Sequence, residues 1–302
     1  MRLVTYRLEQ DEARVGVERG NIIIDIEAFG EACGLPLPST MLELIDLGPV
    51  ALRAIAAELD IADDGDLVAT SFPASNAKIL APIPRPRKNI FGIGLNYTEH
   101  VAESARSLDT SAELPQEPVI FSKPPTAVGA WDDPIRHNTE VTQMLDWETE
   151  LAVVIGSRAH RVSQEDALSH VFGYTIVNDV SARDCRRAGQ WIVSKGQDSF
   201  APMGPAIVTA DEIPDPQTLD LKTWVNGVEK QNGNTKFMLF GVKELIADIS
   251  SVMTLEAGDI IATGTPAGVG AGRDPQEFMW PGDVVESEIE KIGRLRNPVV
   301  KV

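Results

Sequence analysis

The sequence predicts an α+β protein in which strands outnumber helices. After residue 88 the chain carries many short runs with β character, among them "NIFGIGL", "PVIFSK", "ETELAVVIG", "FGYTIVND" and "DIIATGTP". Only a few helical stretches separate them, near residues 97–107, 164–170, 180–190 and 241–249. The sequence shows no regular alternation of strands with helices, the pattern that builds parallel α/β sheets, and this favours a mostly β architecture.

The first 80 residues predict a small unit of strands and helices. Residues 1–30 alternate apolar and polar side chains around turn signals, which indicates two or three short strands. Helical spacing follows in "TMLELIDLGPVALRAIAAEL", and Gly48-Pro49 interrupts it, so we expect two short helices. Prolines at positions 82, 84 and 86 favour an extended connector. We therefore predict an N-terminal accessory domain at 1–80, a linker at 81–88 and a main domain at 89–302.

Composition and charge restrict the partners. The 302 residues are 43% hydrophobic, and the net charge is −18 at pH 7. A field of that sign repels nucleic acids and anionic membranes, but a small anionic substrate responds to local cations instead. The sequence has no apolar run of transmembrane length and no apolar signal-peptide segment near its start, so we expect a cytoplasmic protein. Cys33 and Cys185 fit no metal or redox spacing and are expected to be thiols in a reducing compartment.

Three carboxylates form a candidate metal site. Residues two apart in a strand face the same way, so Glu148 and Glu150 in "WETELAVVIG" point to one side. Asp179 follows a second predicted strand, "GYTIVND". Like charges on one face repel unless a cation lies between them, and a set of carboxylates alone suits Mg²⁺ or Mn²⁺ rather than zinc. An exposed polar face for the glutamates and a helix cap for Asp179 are the alternatives at this point.

A histidine and a glutamate form a candidate acid–base pair. The segment "NYTEHVAESARSL" begins with Asn96 and carries Glu99 three residues later, which is typical of a helix N-terminus. His100 and Glu103 then lie on one face of the predicted helix, because residues i and i+3 are neighbours there. A carboxylate beside an imidazole raises its basicity, which suits a general base near neutral pH. A solvated surface pair is the alternative.

Seven motifs between residues 89 and 302 resemble those of the fumarylacetoacetate hydrolase family, in the family's order. They are "GIGLNYTEH" (92–100), "FSKP" (121–124), "WETELAVVIG" (147–156), "GYTIVNDVSARD" (173–184), "SKGQDSFAPMGP" (194–205), "TGTPAGVG" (263–270) and "PGDVVESEIEKIG" (281–293). The series is far more specific than any one motif. The resemblance implies a catalytic domain built as a twisted mixed β-roll or β-sandwich, a divalent metal, no organic cofactor and a homodimer.

The same resemblance implies roles for individual residues. The implied metal ligands are Glu148, Glu150 and Asp179, and the residues implied in catalysis are His100, Glu103, Lys123 and Lys195. The implied substrate contacts are Arg183, Arg186, Gln190 and Thr265, although "TGTPAGVG" also suits a plain tight turn. The family often has glutamine where this chain has Arg186. That departure indicates a more anionic or longer substrate tail, or a side chain that points away.

Members of this family act on 2-oxo acids that carry a further carbonyl or carboxyl group. We therefore expect hydrolysis of a carbon–carbon bond in an acylpyruvate (a 2,4-dioxo acid), with release of pyruvate, in the breakdown of aromatic compounds. Oxaloacetate decarboxylation and isomerisation of 2-hydroxyhepta-2,4-diene-1,7-dioate pass through a similar enolate, so the motifs do not separate the three reactions. A non-catalytic metal-dependent binding protein on the same fold is a further alternative, against which the complete set of His, Glu and Asp residues argues.

Overall fold

The computed structural model describes residues 1–9, 11–107, 113–187 and 189–302. The strands, in chain order, are β1 (Arg2–Arg7), β2 (Arg14–Arg19), β3 (Ile22–Asp25), β4 (Ser71–Pro73), β5 (Lys78–Leu80), β6 (Ile90–Gly94), β7 (Val119–Lys123), β8 (Val128–Gly129), β9 (Ile135–His137), β10 (Leu145–Asp146), β11 (Thr149–Ile155), β12 (Val171–Asn178), β13 (Ser181–Ala182), β14 (Ala201–Thr209), β15 (Asp220–Val225), β16 (Val228–Asn234), β17 (Ile260–Ala262), β18 (Val284–Ile289) and β19 (Gly293–Lys301). The α-helices are α1 (Ile26–Cys33), α2 (Met41–Ile61), α3 (Asp64–Ala69), α4 (Thr98–Ser107), α5 (Ile192–Lys195) and α6 (Val242–Val252).

One large mixed sheet joins the N-terminal strands to strands from the middle of the chain and to β17. Its strand order is β4-β3-β2-β1-β14-β12-β11-β17-β6-β7, with β5 beside β1 and β8 beside β14. Most neighbours are antiparallel, whereas β17 and β6 run parallel, as do β14 and β8. A second sheet has the order β16-β15-β18-β19-β9, and β10 pairs with β13 in a short ribbon. The predicted α+β fold with a majority of strands is confirmed.

Strand β11 shows how the layers are held together. All seven of its residues are buried, because the strand lies inside the large sheet with other elements packed on both faces. Ala152 and Val154 pack in an apolar cluster with residues of α1 and α2. Leu151 and Val153 point the other way and pack with residues of α6 and of the second sheet. The two-residue period of a strand therefore joins the N-terminal helices to one face and α6 to the other.

The N-terminal strands continue the sheet of the main domain. Strand β1 pairs with β14 through Arg2↔Val208 and Leu3↔Ile207, and β5 adds to the other part of β1. The cluster on the α1 and α2 face likewise contains residues from both sides of the proline-rich segment. The large sheet therefore runs across the predicted boundary at 81–88. The division into 1–80, 81–88 and 89–302 stays a prediction.

Some of the helices predicted from the sequence are present, and others are not. Helices α4 and α6 occupy the predicted stretches, and the backbone of α2 leaves helical geometry at Gly48, where φ is 69°. The predicted helix at 180–190 is wrong. That stretch holds β13 and a 3₁₀ turn at Arg183–Cys185, because Ser181 and Ala182 pair with β10 and keep the backbone extended. In the stretch 164–170 the helical part is a 3₁₀ turn, Ala167–His170.

The described residues contain neither a disulfide nor a helix able to span a membrane. Neither Cys33 nor Cys185 forms a disulfide. Among the helices of the described residues, none combines the length and the apolar character needed to cross a lipid bilayer.

Asp25 connects three elements of the N-terminal region. Its carboxylate accepts hydrogen bonds from Arg14 Nε at 2.6 Å, from Tyr6 Oη, and from the Ala28 N–H at 2.8 Å, which caps α1. Burial raises the pKa of Asp25, but the hydrogen bonds from Arg14, Ala28 and Tyr6 outweigh burial and hold the pKa below its usual 3.8. The folded state therefore favours the ionised carboxylate.

Replacing Asp25 by Asn should lower the free energy of unfolding by about 2 kcal/mol at pH 7, because Arg14 loses its buried carboxylate partner and keeps only Glu27. Since the folded pKa lies below the unfolded one, this stabilisation is present above about pH 4 and is lost as the pH falls through the folded pKa. Urea denaturation of both proteins at pH 7 and at about pH 3 measures the difference. The exposed Asp11→Asn serves as the control. A gap between wild type and Asp25→Asn that stays constant with pH would contradict this account.

Candidate active site

The three acidic residues singled out in the sequence lie together in the structure. Glu150 lies in β11, Glu148 immediately precedes that strand, and Asp179 immediately follows β12. Strands β11 and β12 pair with Thr149 opposite Asn178, and the Asp179 N–H donates to the Glu148 carbonyl at 2.8 Å. Carboxylate oxygens from the three side chains lie within 4.8 Å of one another. All three residues are buried, which excludes an exposed polar face for the glutamates.

Asp179 does not cap a helix. The chain continues from it into the extended residues of β13, and its carboxylate binds two lysines instead. Lys123 Nζ donates to Oδ1, and Lys195 Nζ donates to Oδ2 at 2.5 Å. The helix-cap alternative is therefore wrong.

Buried cations surround the acidic residues but do not balance them. Lys195 also contacts Glu148 at 2.6 Å, and Arg183 contacts Glu148 at 2.6 Å and Asp146 at 2.8 Å. Four buried carboxylates thus meet three buried cations, Lys123, Lys195 and Arg183. Glu150 is the acid of this group without a cation partner among the described residues; its Oε2 accepts the Gly264 N–H at 2.9 Å.

The pKa values follow from burial and from this arrangement of charges. Burial alone raises the pKa of Glu148, but Lys195 and Arg183 reverse the effect and hold it well below its usual value. For Glu150, burial raises the pKa, and the charges of Asp179 and Glu148 raise it further. A bound divalent cation would relieve the repulsion that acts on Glu150.

The donor set fits a hard divalent cation. The candidate ligands are carboxylate oxygens, and one carboxylate is in excess over the buried cations. Mg²⁺ and Mn²⁺ prefer such oxygen ligands and keep positions open for water or substrate. The residues present therefore fit the ion that the sequence predicts.

The predicted His–Glu pair is buried beside the acidic residues. His100 and Glu103 lie on α4, one helical turn apart, and His100 Nδ1 lies 3.4 Å from Glu103 Oε2. An ionised carboxylate only accepts hydrogen bonds, so we place the proton on Nδ1, which leaves Nε2 free to act as a base. Burial of both residues excludes a solvated surface pair.

The side chain of Asn96 makes long-range hydrogen bonds just before α4. Its amide donates to the carbonyls of Phe240 and Thr263 and accepts from the Phe240 N–H. These bonds join the start of α4 to two distant segments, because the side chain points into the interior rather than along the helix. The helix start predicted for this segment is confirmed, since α4 begins at Thr98.

One glycine-rich loop, residues 264–272, supplies backbone N–H groups to three separate carboxylates. Gly264 donates to Glu150, Gly268 donates to Glu103 at 3.1 Å, and Gly270 donates to Asp146 at 2.6 Å. The loop thus positions the acidic residues, the His–Glu pair and, through Asp146, the guanidinium of Arg183. Sequence reasoning missed Asp146, although the excess of glycine in "TGTPAGVGAG" was a usable signal for backbone donors.

The four proposed substrate contacts occupy different positions. Arg183, Arg186 and Thr265 line the same cavity as His100, Glu148, Glu150 and Lys195, whereas Gln190 is exposed and does not line it. Thr265 Oγ1 donates to the Thr149 carbonyl at 2.9 Å and accepts from Gln231 Nε2 at 2.8 Å, so its hydroxyl holds the loop in place. Substrate contact by these residues stays a prediction.

Known proteins resemble this chain over most of its length. The family model described as "Fumarylacetoacetate (FAA) hydrolase C-terminal" matches residues 89–300. The chain is 43% identical over 266 residues to the oxaloacetate tautomerase YisK of Bacillus subtilis, covering 87% of each protein. It is 41% identical over 306 residues to a mitochondrial oxaloacetate tautomerase of Xenopus laevis, covering 99% of this chain and 90% of the relative.

A solved structure is also similar over the full length. Maleylpyruvate hydrolase from Sphingobium sp. SYK-6, in complex with manganese(II) ion and pyruvate, superposes with a TM-score of 0.77 at 32% identity. The match covers 100% of this chain and 99% of that one.

Proposed function

Because this chain belongs to the fumarylacetoacetate hydrolase family, we propose that it is a divalent-metal-dependent enzyme that interconverts the enol and keto forms of oxaloacetate. The observation that carries the proposal is the buried set of three carboxylates, two of which, Glu148 and Glu150, line the same cavity as His100. The two relatives named oxaloacetate tautomerase support the choice of reaction. The substrate is then a small anionic 2-oxo acid, and the homodimer and the cytoplasmic location stay part of the proposal.

The basic residues would bind and orient the acid. Glu148, Glu150 and Asp179 would hold a divalent ion, which would supply a Lewis acid for the 2-oxo group. Lys195 lines the cavity and contacts two of those carboxylates, so its ammonium stabilises negative charge that develops beside them. Asp146 holds Arg183 at the cavity through a 2.8 Å ion pair.

The His–Glu pair would move the proton. In the keto-to-enol direction, His100 Nε2 takes a proton from C3 of oxaloacetate, and the electron pair of that C–H bond forms the C2–C3 double bond. The protonated imidazole then returns a proton to the 2-oxygen, which regenerates the neutral base. The reverse direction removes the enol proton and delivers one to C3. Glu103 holds the imidazole in the tautomer that this step requires. No carbon–carbon bond breaks, so the reaction needs neither an attacking water nor a leaving group.

Hydrolysis of an acylpyruvate is the second candidate. The similar maleylpyruvate hydrolase structure, which contains manganese and pyruvate, supports it. In that reaction His100 would deprotonate a water that attacks the distal carbonyl, and pyruvate would leave as its enolate. Decarboxylation of oxaloacetate and isomerisation of 2-hydroxyhepta-2,4-diene-1,7-dioate would use the same residues. A role in aromatic catabolism depends on this second candidate.

A panel of substrates separates these reactions. The Mg²⁺- and Mn²⁺-loaded protein would be mixed with oxaloacetate, acetylpyruvate, fumarylpyruvate or 2-hydroxyhepta-2,4-diene-1,7-dioate, with chelator as the control. We expect faster relaxation of the ultraviolet enol band of oxaloacetate without pyruvate release. Pyruvate formed in step with loss of an acylpyruvate would instead establish hydrolysis. No acceleration of any reaction would overturn the proposal.

Gly272 provides a test of how the loop positions Glu103. A β-carbon at Gly272 would overlap Cγ and Cδ of Glu103. Gly272→Ala should therefore displace the carboxylate from His100 and from the Gly268 N–H, and lower kcat about 100-fold. The affinity for Mn²⁺ should change less than about twofold, since the acidic residues are not displaced. Tautomerisation rates and metal titrations measure the two quantities.

Gly129→Ala is the matched control for this substitution. Its β-carbon would meet its nearest neighbour, Pro202, at 3.9 Å, which is ordinary contact. Wild-type kcat in Gly272→Ala, or an equal loss in both variants, would contradict the positioning role of the loop.

A further inference from the structure

Arg186 differs from the other cations of the cavity. Lys195 and Arg183 are each paired with carboxylates at 2.5–2.8 Å. Arg186 lines the same cavity, is half-buried, and has no carboxylate within ion-pair distance among the residues that the structure describes. A cation in this position is available to an anionic ligand.

The guanidinium of Arg186 is held by an aromatic platform. It stacks over the indole of Trp191 at 4.5 Å, and that ring packs against Phe121 with 5.4 Å between centroids. A β-carbon at Gly94 would overlap the indole, so glycine is required there for the ring to lie in this position. This contact restrains the guanidinium, whose paired donors match a carboxylate.

The environment of the Arg186 guanidinium also favours a bound anion. Burial lowers the pKa of Arg186, and the charge of Arg183 lowers it further. A bound carboxylate would offset both effects. Because the cavity also contains Glu148 and Glu150, a ligand whose 2-oxo group lies at the acidic residues has its other end available to Arg186.

We infer that Arg186 binds the second carboxylate of a dicarboxylic 2-oxo acid and thereby selects dicarboxylic over monocarboxylic substrates. This inference rests on the proposed function, since it concerns the same cavity. It also gives a physical reason for arginine at a position where glutamine would offer only a neutral hydrogen bond.

Binding measurements test the assignment without turnover. Calorimetry of the Mg²⁺-loaded protein would compare 3,3-difluorooxaloacetate, which has no proton at C3, with pyruvate. Arg186→Gln should weaken binding of the dicarboxylate about 10- to 100-fold and change pyruvate binding less than about twofold. Arg186→Lys should recover part of the loss. The neighbouring, exposed Arg187→Gln should leave both affinities unchanged.

The outcomes for this inference and for the proposed function are distinct. Equal weakening of both acids in Arg186→Gln, or no weakening of either, overturns the assignment even where the wild-type protein tautomerises oxaloacetate. A wild-type protein that prefers the dicarboxylate through Arg186 but does not accelerate tautomerisation confirms the assignment and overturns the proposed function.

Discussion

Replacing Glu148 by Gln is expected to lower turnover at least about 1,000-fold and to weaken Mn²⁺ binding at least about 100-fold. The amide removes one charged ligand from the acidic set. It also leaves Lys195 and Arg183, each 2.6 Å from the Glu148 carboxylate, facing a neutral group. Repulsion between these cations and the metal ion then adds to the lost ligand. Tautomerisation kinetics and a metal titration on the same preparation measure both effects.

The exposed Glu165→Gln is the control for Glu148→Gln, because it makes the same chemical change away from the cavity. Circular dichroism and the unfolding midpoint show whether the variants remain folded. Full turnover in Glu148→Gln would exclude a metal ion at this site from the reaction.

Replacing His100 by Ala should lower kcat by about 100- to 10,000-fold, which is the usual range for loss of a general base. Metal affinity should remain within about twofold of the wild type, because His100 is not among the three acidic ligands. Glu103→Gln should give a smaller loss, and the double variant should be little worse than His100→Ala, since both residues serve one proton transfer. Initial rates under saturating metal measure these losses.

His160→Ala is the matched control, because that histidine is exposed and does not line the cavity. If His100→Ala retained wild-type tautomerisation but lost acylpyruvate hydrolysis, the proton transfer at C3 would have to be assigned to another group.

The acidic set could be predicted from the sequence because its geometry is local. Glu148 and Glu150 are two residues apart at one strand, and Asp179 follows the strand that pairs directly with it. His100 and Glu103 are likewise related by one helical turn. In each case the period of a single element, or the pairing of two neighbouring strands, places the side chains together.

The features that sequence reasoning missed depend on contacts between distant segments. Asp146 is held by Gly270, and Glu103 by Gly268, across 124 and 165 positions of the chain. No periodicity in the sequence reports such a loop. Asn96 matched a helix-start pattern, yet its amide bonds to Phe240 and Thr263. The local pattern correctly indicated the start of α4, but it could not reveal these tertiary contacts.

The fold was likewise predictable where local patterns determine it, and not where distant strands pair. The strand-rich character of the main domain was readable from short apolar runs between turns. The pairing of β1 with β14 was not, because it joins residues more than 200 positions apart. Residues 180–190 were wrongly predicted as a helix because only pairing with the distant β10 keeps β13 extended.

The most direct test of the account is a titration of metal-free protein with Mn²⁺, followed by the electron paramagnetic resonance signal of the free ion. The account predicts one tightly bound ion per chain, and loss of that ion in each of Glu148→Gln, Glu150→Gln and Asp179→Asn. Unchanged binding in all three variants, or no tight binding by the wild-type protein, would contradict it.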